Sequence, residues 1–258
     1  MSDVVLKVER LEKSFGGLKI LQGIDFEVKA GQKLALIGPN GAGKSTLLNC
    51  IGGQGPATAG KITFCGRDIT RMPPNKRLHV GMGRSFQVNN LFWHTTVLDN
   101  VVMALYCAEP SQIHMVQRLE KRTDLRGEAE RLVRLGGLWE HRNDRPPLLS
   151  YGEQRLLEML LGFASKPKMI LLDEPSAGLP TAEVDAFIKI LRGLAGDTTL
   201  LFCAHDMDLV FALADEIMVL YFGKIIAKGP PGDIANDPKV QEIYLGGDDD
   251  TYDQARGG

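Results

Sequence analysis

The stretch Leu34-Ala35-Leu36-Ile37-Gly38-Pro39-Asn40-Gly41-Ala42-Gly43-Lys44-Ser45-Thr46 decides the fold. Residues 34–37 are a short continuous apolar run, the pattern of a strand buried on both faces. The next eight residues fit G-x-x-x-x-G-K-[ST], and residues 45–50 open a helix. Glycines let a backbone curl until successive N–H groups point inward at phosphate oxygens. A helix that starts at the same spot adds its positive end. Lys44 supplies a full charge toward the β- and γ-phosphates, and Ser45 a hydroxyl suited to Mg²⁺.

A second stretch supports the first. Met169-Ile170-Leu171-Leu172-Asp173-Glu174 is an apolar strand that delivers two carboxylates at its C-terminal end, where open α/β sheets bind ligands. Asp173 is suited to hold Mg²⁺ through water, and Glu174 to orient an attacking water or accept its proton. Together the two stretches imply hydrolysis of a magnesium-bound nucleoside triphosphate. No N-K-x-D guanine reader is present, which favours ATP.

The rest of the chain arranges itself around these pieces. Val4, Leu6 and Val8 alternate with polar neighbours, residues 20–28 form a second β run, and Phe15-Gly16-Gly17 turns between them. Residues 62–64 read as a strand and residues 66–84 as loop, with Pro73-Pro74 inside it. Leu125, Ala129, Leu132 and Val133 fall on one helical face, and residues 88–163 read as a mostly helical insertion. Strand, helix and strand return at residues 169–172, 182–194 and 198–204, followed by a hairpin that turns at Gly223. Residues 236–258 read as a C-terminal segment with an acidic tail, the whole chain of 258 residues forming a single domain. The expected fold is α/β: a mainly parallel sheet with an antiparallel β subdomain and a helical subdomain.

Composition narrows the function classes. Hydrophobic residues make up 44% and charged residues 24%, an ordinary globular balance. The net charge of −2 argues against a nucleic-acid partner. Cys50, Cys65, Cys107 and Cys203 are far apart and lack metal-ligand spacing, so reduced thiols are expected. No run approaches the ~18 apolar residues of a membrane helix. Residues 1–15 carry both signs of charge and no apolar block, so no signal peptide is expected. His79, His94, His114 and His141 read as surface residues, and Trp93 and Trp139 as packing residues.

Leu149-Ser150-Tyr151-Gly152-Glu153-Gln154-Arg155, just upstream of the Asp-Glu strand, resembles the L-S-G-G-Q signature of ATP-binding cassette proteins. Other motifs of that family stand in the right order. Gln87 in Ser85-Phe86-Gln87 is similar to the Q-loop glutamine, Ser176-Ala177-Gly178-Leu179 to the D-loop, and His205 to the switch histidine. Phe15 is similar to the aromatic of the adenine-stacking loop. The chain departs from the pattern at Tyr151, where glycine is usual, and at Pro180, where relatives carry Asp or Asn.

The resemblance covers nearly the whole chain and implies a P-loop ATPase with Glu174, His205 and Gln87 in catalysis. It implies ATP held by Phe15, by residues 38–46 and, across a head-to-tail pair of subunits, by Ser150 and Gly152. It implies Mg²⁺ held by Ser45, Gln87 and Asp173. The partners it implies are integral-membrane permease subunits, a second cassette ATPase (a sister chain or a copy) and, indirectly, a substrate-binding protein. The implied location is the cytoplasmic face of the inner or plasma membrane. Phe15-Gly16-Gly17-Leu18, Gly83-Arg84-Ser85-Phe86-Gln87, Leu91-Phe92, residues 96–101 and the ending from Asp237-Pro238 to Ile243-Tyr244-Leu245-Gly246 look like the branched-chain amino-acid import branch. Lipopolysaccharide or lipid exporters and urea or amide importers share part of this pattern. Leu91, Phe92 and Trp93 are expected to be partly exposed for docking on a membrane subunit.

Overall fold

A computed structural model describes residues 3–84, 91–108 and 123–245. In chain order the elements are strands β1 (Val4–Phe15), β2 (Leu18–Lys29) and β3 (Lys33–Ile37), helix α1 (Lys44–Gly52), and strands β4 (Ala59–Phe64) and β5 (Arg67–Asp68). Helix α2 (Pro74–His79), strand β6 (Met82–Arg84) and helices α3 (Val97–Ala108), α4 (Thr123–Leu135) and α5 (Tyr151–Ala164) follow. The C-terminal half continues with β7 (Met169–Asp173), α6 (Thr181–Ala195), β8 (Thr199–Cys203), α7 (Met207–Leu213), β9 (Glu216–Tyr221), β10 (Lys224–Gly229), α8 (Pro231–Ala235) and α9 (Pro238–Leu245).

The strands form two sheets. A four-stranded sheet has the order β2-β1-β4-β5, and the pairs within it are antiparallel. A six-stranded sheet has the order β10-β9-β3-β8-β7-β6, parallel except for the edge strand β10. The apolar runs of β3, β7, β8 and β9 have a two-sided explanation. Ala35, Ile37, Ile170, Leu172, Leu200, Phe202, Ile217 and Val219 face the helical layer of α3 to α7. Their alternating neighbours Leu34, Leu36, Met169, Leu171, Leu201, Cys203, Met218 and Leu220 face α1 and the antiparallel sheet. Strands with both faces covered lose the polar alternation of an edge strand.

The segment read as loop, residues 66–84, holds β5, α2 and β6. β6 pairs with β7 in parallel, Gly83 opposite Ile170. Three residues with a central glycine carry no periodic signal, so only the neighbouring strand creates this one. Pro74 opens α2, where a missing N–H costs nothing. Arg77 of α2 is buried and donates to the Cys50, Ile51 and Met72 carbonyls, so a cation sits at the C-terminal end of α1.

The helical face predicted in α4 is buried: Leu125, Ala129, Leu132 and Val133 all lie in the core. Asn100 of α3 is fully buried, and its amide is satisfied by the Phe92 backbone, the Thr95 hydroxyl and the Thr96 carbonyl. That holds residues 91–96 against the helix. Leu91 is buried there, Phe92 is 43% exposed and Trp93 packs partly against the core.

Candidate functional site

Four parallel strands end on the same edge of the six-stranded sheet, and each hands over a polar group. β3 leads into residues 38–43, β7 ends in Asp173, β8 leads to His205 and β6 ends in Arg84. The order β3-β8-β7-β6 is what brings these distant residues together.

The turn after β3 is fitted to its surroundings. Gly38, Gly41 and Gly43 have φ of 150°, 79° and 107°, where side chains are strained. A Cβ on Gly38 would collide with the Leu220 carbonyl. Pro39 is half-buried, Asn40 and Gly41 are exposed, and Ala42 is buried. The amide of Ala42 donates to the Pro39 carbonyl at 3.2 Å. Gly43 is the N-cap of α1, so the free N–H groups of the first helical turn, from Lys44, Ser45 and Thr46, surround the turn.

Lys44 is buried, and its Nζ donates to the Gly38 and Pro39 carbonyls at 2.6 and 3.0 Å. Burial pushes its ammonium pKa down, against the pull of Asp173 and Glu174. A buried ammonium hydrogen-bonded to two neutral carbonyls is a ready counter-charge for phosphate.

Asp173 is 3% exposed, and burial raises its carboxyl pKa while Arg84 opposes the shift. Ser45 Oγ lies 3.4 Å from one carboxylate oxygen and Arg84 Nη2 lies 3.6 Å from the other. A hydroxyl and a carboxylate meeting at the mouth of a phosphate-type turn are hard oxygen donors, the set that suits Mg²⁺ shared with phosphates and water. Ser45 and Asp173 thus fit the metal expectation. Gln87, expected in both the metal and the catalytic set, lies outside the described residues.

Glu174 occupies the left-handed region at φ 48°, and its amide donates to the Cys203 carbonyl at 2.9 Å. Non-glycine residues hold that conformation only where the surroundings impose it. Its carboxylate Oε1 lies 3.2 Å from His205 Nε2, and both side chains reach solvent. Phe15 is 59% exposed at the tip of the β1–β2 hairpin, with Lys13 Nζ 4.6 Å from its ring centre.

Ser150 and Gly152 are placed apart from the phosphate turn, at the start of α5. Ser150 caps that helix: its Oγ accepts from the Glu153 amide at 3.3 Å, and Glu153 Oε2 accepts from the Ser150 amide at 2.7 Å. A Cβ on Gly152 would displace the Glu183 carboxylate of α6, so the first turn of α5 packs closely against that side chain. Tyr151 is 54% exposed, lies against Gly178 and donates from its hydroxyl to the Ala177 carbonyl at 3.3 Å. Pro180 is the N-cap of α6 and offers no side-chain cap.

Some contributors were not assigned a role from the sequence. Arg84 donates to the Leu48 carbonyl, Gln54 Oε1 and Asn49 Oδ1 at 2.7–2.9 Å, joining α1 to Asp173. Gly223 donates its N–H to the Ala42 carbonyl at 3.0 Å, so the β9–β10 turn buttresses the phosphate turn. His141, read as a plain surface residue, contacts two carboxylates, one of them Glu153. The partners of Arg84 and Gly223 are remote in sequence, so no local pattern signals them; His141 meets Asp144 three residues on and Glu153 in the cap of α5.

The fold and this arrangement define a P-loop nucleotide hydrolase of the cassette type. Residues 21–177, more than half of the chain, match the family described as ABC transporter, and the chain belongs to that family. It is an ABC transporter ATPase, as the resemblance implied. Residues 224–250 match a second family, described as branched-chain amino acid ATP-binding cassette transporter. The chain is 36% identical over 256 residues to the high-affinity branched-chain amino acid transport ATP-binding protein LivG of Escherichia coli, covering 95% of this chain and 99% of that protein. It is 33% identical over 255 residues to the high-affinity branched-chain amino acid transport ATP-binding protein BraF of Pseudomonas aeruginosa, covering 95% of this chain and 99% of that protein. The crystal structure of the ADP conformation of an ATP-binding cassette of an ABC transporter matches with a TM-score of 0.81 and 32% identity, covering 94% of this chain and 99% of that one.

Proposed function

We propose that this ATPase powers uptake of branched-chain or related amino acids, as one half of a head-to-tail pair of cassettes beneath integral-membrane permease subunits. A substrate-binding protein would act on it only indirectly. The observation that carries the ATPase chemistry is the convergence of Lys44, Ser45, Asp173, Glu174 and His205 at one sheet edge. The match of residues 224–250 and the names of the relatives support the substrate class.

In this reading Lys44 turns from the Gly38 and Pro39 carbonyls to the β- and γ-phosphates. Residues 38–46 surround those phosphates, the backbone N–H groups of the first turn of α1 among their donors, and Phe15 stacks on the adenine. Ser45 and Asp173, with Gln87, hold Mg²⁺, which when bound neutralises charge developing on the phosphate oxygens. Glu174 orients the attacking water and takes its proton, and His205 steadies the Glu174 carboxylate. Ser150 and Gly152 present the start of α5 to the γ-phosphate held by the other subunit. Charge-assisted hydrogen bonds contribute about 1.5–3 kcal/mol each, so loss of the γ-phosphate releases the pair. Among the described residues no helix is long and apolar enough to cross a membrane. The chain then works peripherally at the cytoplasmic face, held there by the permease.

The test is uptake of labelled leucine, isoleucine and valine by cells lacking this chain. Uptake should fall, recover with the wild-type chain and stay low with Glu174→Gln. Unchanged uptake of all three overturns the substrate assignment.

A further inference from the structure

We propose that His141 is a positioning residue for the signature, holding Ser150 in place only while its imidazole is doubly protonated. The inference rests on the reading above, in which Ser150 reaches the nucleotide of the other subunit.

The geometry is specific. His141 lies in the turn between α4 and α5, which is anchored on the start of α3: the Val97 amide donates to the Asp144 carbonyl at 2.8 Å and the Leu98 amide to the Arg142 carbonyl at 3.0 Å. From this fixed turn the ring reaches two carboxylates at once. Nδ1 lies 2.8 Å from Asp144 Oδ2, and Nε2 lies 3.1 Å from Glu153 Oε1. The other oxygen of Glu153 accepts the Ser150 amide at 2.7 Å. His141 therefore reaches the signature serine in two steps, an ion-pair contact to Glu153 and a hydrogen bond from the Ser150 amide to the same carboxylate.

A neutral imidazole has one N–H and one lone pair, so it can donate to only one of two carboxylates and meets the other with a repelling lone pair. Both contacts are favourable only for the imidazolium. The groups around the ring act the same way: the hydrogen bond to Asp144 is the largest influence raising the pKa of His141 above its ordinary value, burial opposes it, and the charges of Glu153, Asp144 and Glu140 add to the rise. Glu183 of α6 adds a further carboxylate on the other side of the signature, against Gly152. With His141 neutral, Glu153 loses the cation that contacts it; with His141 charged, Glu153 is held and its charge offset.

The sign follows from linkage. A histidine whose pKa is raised by folding contributes fully below its ordinary pKa of ~6.5 and loses that contribution as pH rises through the raised value. Order at Ser150 should therefore decline as pH rises through the raised pKa of His141.

The full-length chain, labelled at its histidines, tests this by NMR titration, with hydrogen exchange of the Ser150 amide read at each pH. His141 should titrate above ~6.5. Ser150 protection should fall roughly two- to five-fold relative to His141→Arg at the same pH as the ring deprotonates, the scale of an exposed charged contact. His141→Arg, a permanent cation able to donate to both carboxylates, should keep protection at alkaline pH. His141→Gln should lack it throughout. ATP affinity of the isolated chain should be the same in all three, which excludes misfolding as the cause. In the complex purified with its membrane partners, the alkaline decline of ATP turnover should disappear in His141→Arg. Titration at or below ~6.5, or Ser150 protection indifferent to His141, overturns the proposal. If Ser150→Ala leaves turnover of the complex unchanged while the NMR linkage holds, the role of the signature fails instead.

Discussion

Glu174 Oε1 and His205 Nε2 meet at 3.2 Å although a helix and a strand separate them in the chain. The pair exists because β8 lies beside β7 and the register sets Asp173 opposite Cys203. Each side chain is the next polar residue beyond the end of its strand. Glu174 is held further by its left-handed backbone and by the bond from its amide to the Cys203 carbonyl.

Glu174→Gln keeps the size of the side chain and removes the base. ATP binding should persist and turnover should fall by at least ~10²-fold, the usual scale for a general base. Single-turnover hydrolysis at saturating ATP is the measurement; near-normal turnover would contradict the assignment.

Lys44→Ala should separate binding from folding. The ammonium is buried and its charged form is disfavoured there. Removing it should cost the apo protein little while weakening nucleotide binding at least ~10-fold, from lost charge-assisted contacts. Thermal melts with and without ADP check this: the apo midpoint should stay close to wild type and the ligand-induced rise should largely vanish.

Arg84→Met should destabilise the fold in a pH-dependent way. Burial raises the pKa of Asp173, and Arg84 is the first-named influence opposing that rise. A carboxyl whose folded pKa is raised binds its proton more tightly in the folded state, so its effect on stability becomes less favourable as pH rises through that range. Without Arg84 the pKa rises further and the loss grows. The variant should lie closer to wild type at about pH 4 than at about pH 8, where the cost should reach ~3 kcal/mol, the scale of an unpaired buried charge. Denaturant melts at the two pH values decide; an equal cost at both would refute it.

Tyr151→Gly should cost about 1 kcal/mol, because glycine is poor at a helix start and the contact with Gly178 is lost. Tyr151→Phe keeps the ring against Gly178 and loses only an exposed hydrogen bond to Ala177, so its cost should be smaller. Equal losses in the two variants would show that the hydroxyl, not the ring, ties the signature to the D-loop.

Much of the architecture could be read from local pattern. Residues 34–37 and 169–172 are continuous apolar runs because the strands they form are covered on both faces, and such runs stand out without any partner in view. The phosphate turn was equally legible, because the backbone at Gly38, Gly41 and Gly43 needs dihedrals that other residues adopt only with strain. Lys44, Asp173, Glu174 and His205 stand beside these runs, so the strands pointed to them. β6 was invisible, since three residues with a central glycine become a strand only where β7 offers its edge. Arg84 and His141 went without roles for a related reason: a cation declares its purpose only when its carboxylate is in place, and those carboxylates lie on β7, α5 and the turn before α5.

The sequence by itself determined what is written in nearest neighbours: buried strands from uninterrupted apolar side chains, the phosphate turn from glycine dihedrals and the apolar face of α4 from its helical spacing. Tertiary structure alone decided which of these stand side by side. The order β3-β8-β7-β6 aligns four strand ends and so assembles Ser45, Asp173, Arg84, Glu174 and His205. The packed turn before α5 sets one imidazole between two carboxylates. The meeting of the four strand ends is a property of strand order and of desolvation between remote segments, and no local window of residues contains it.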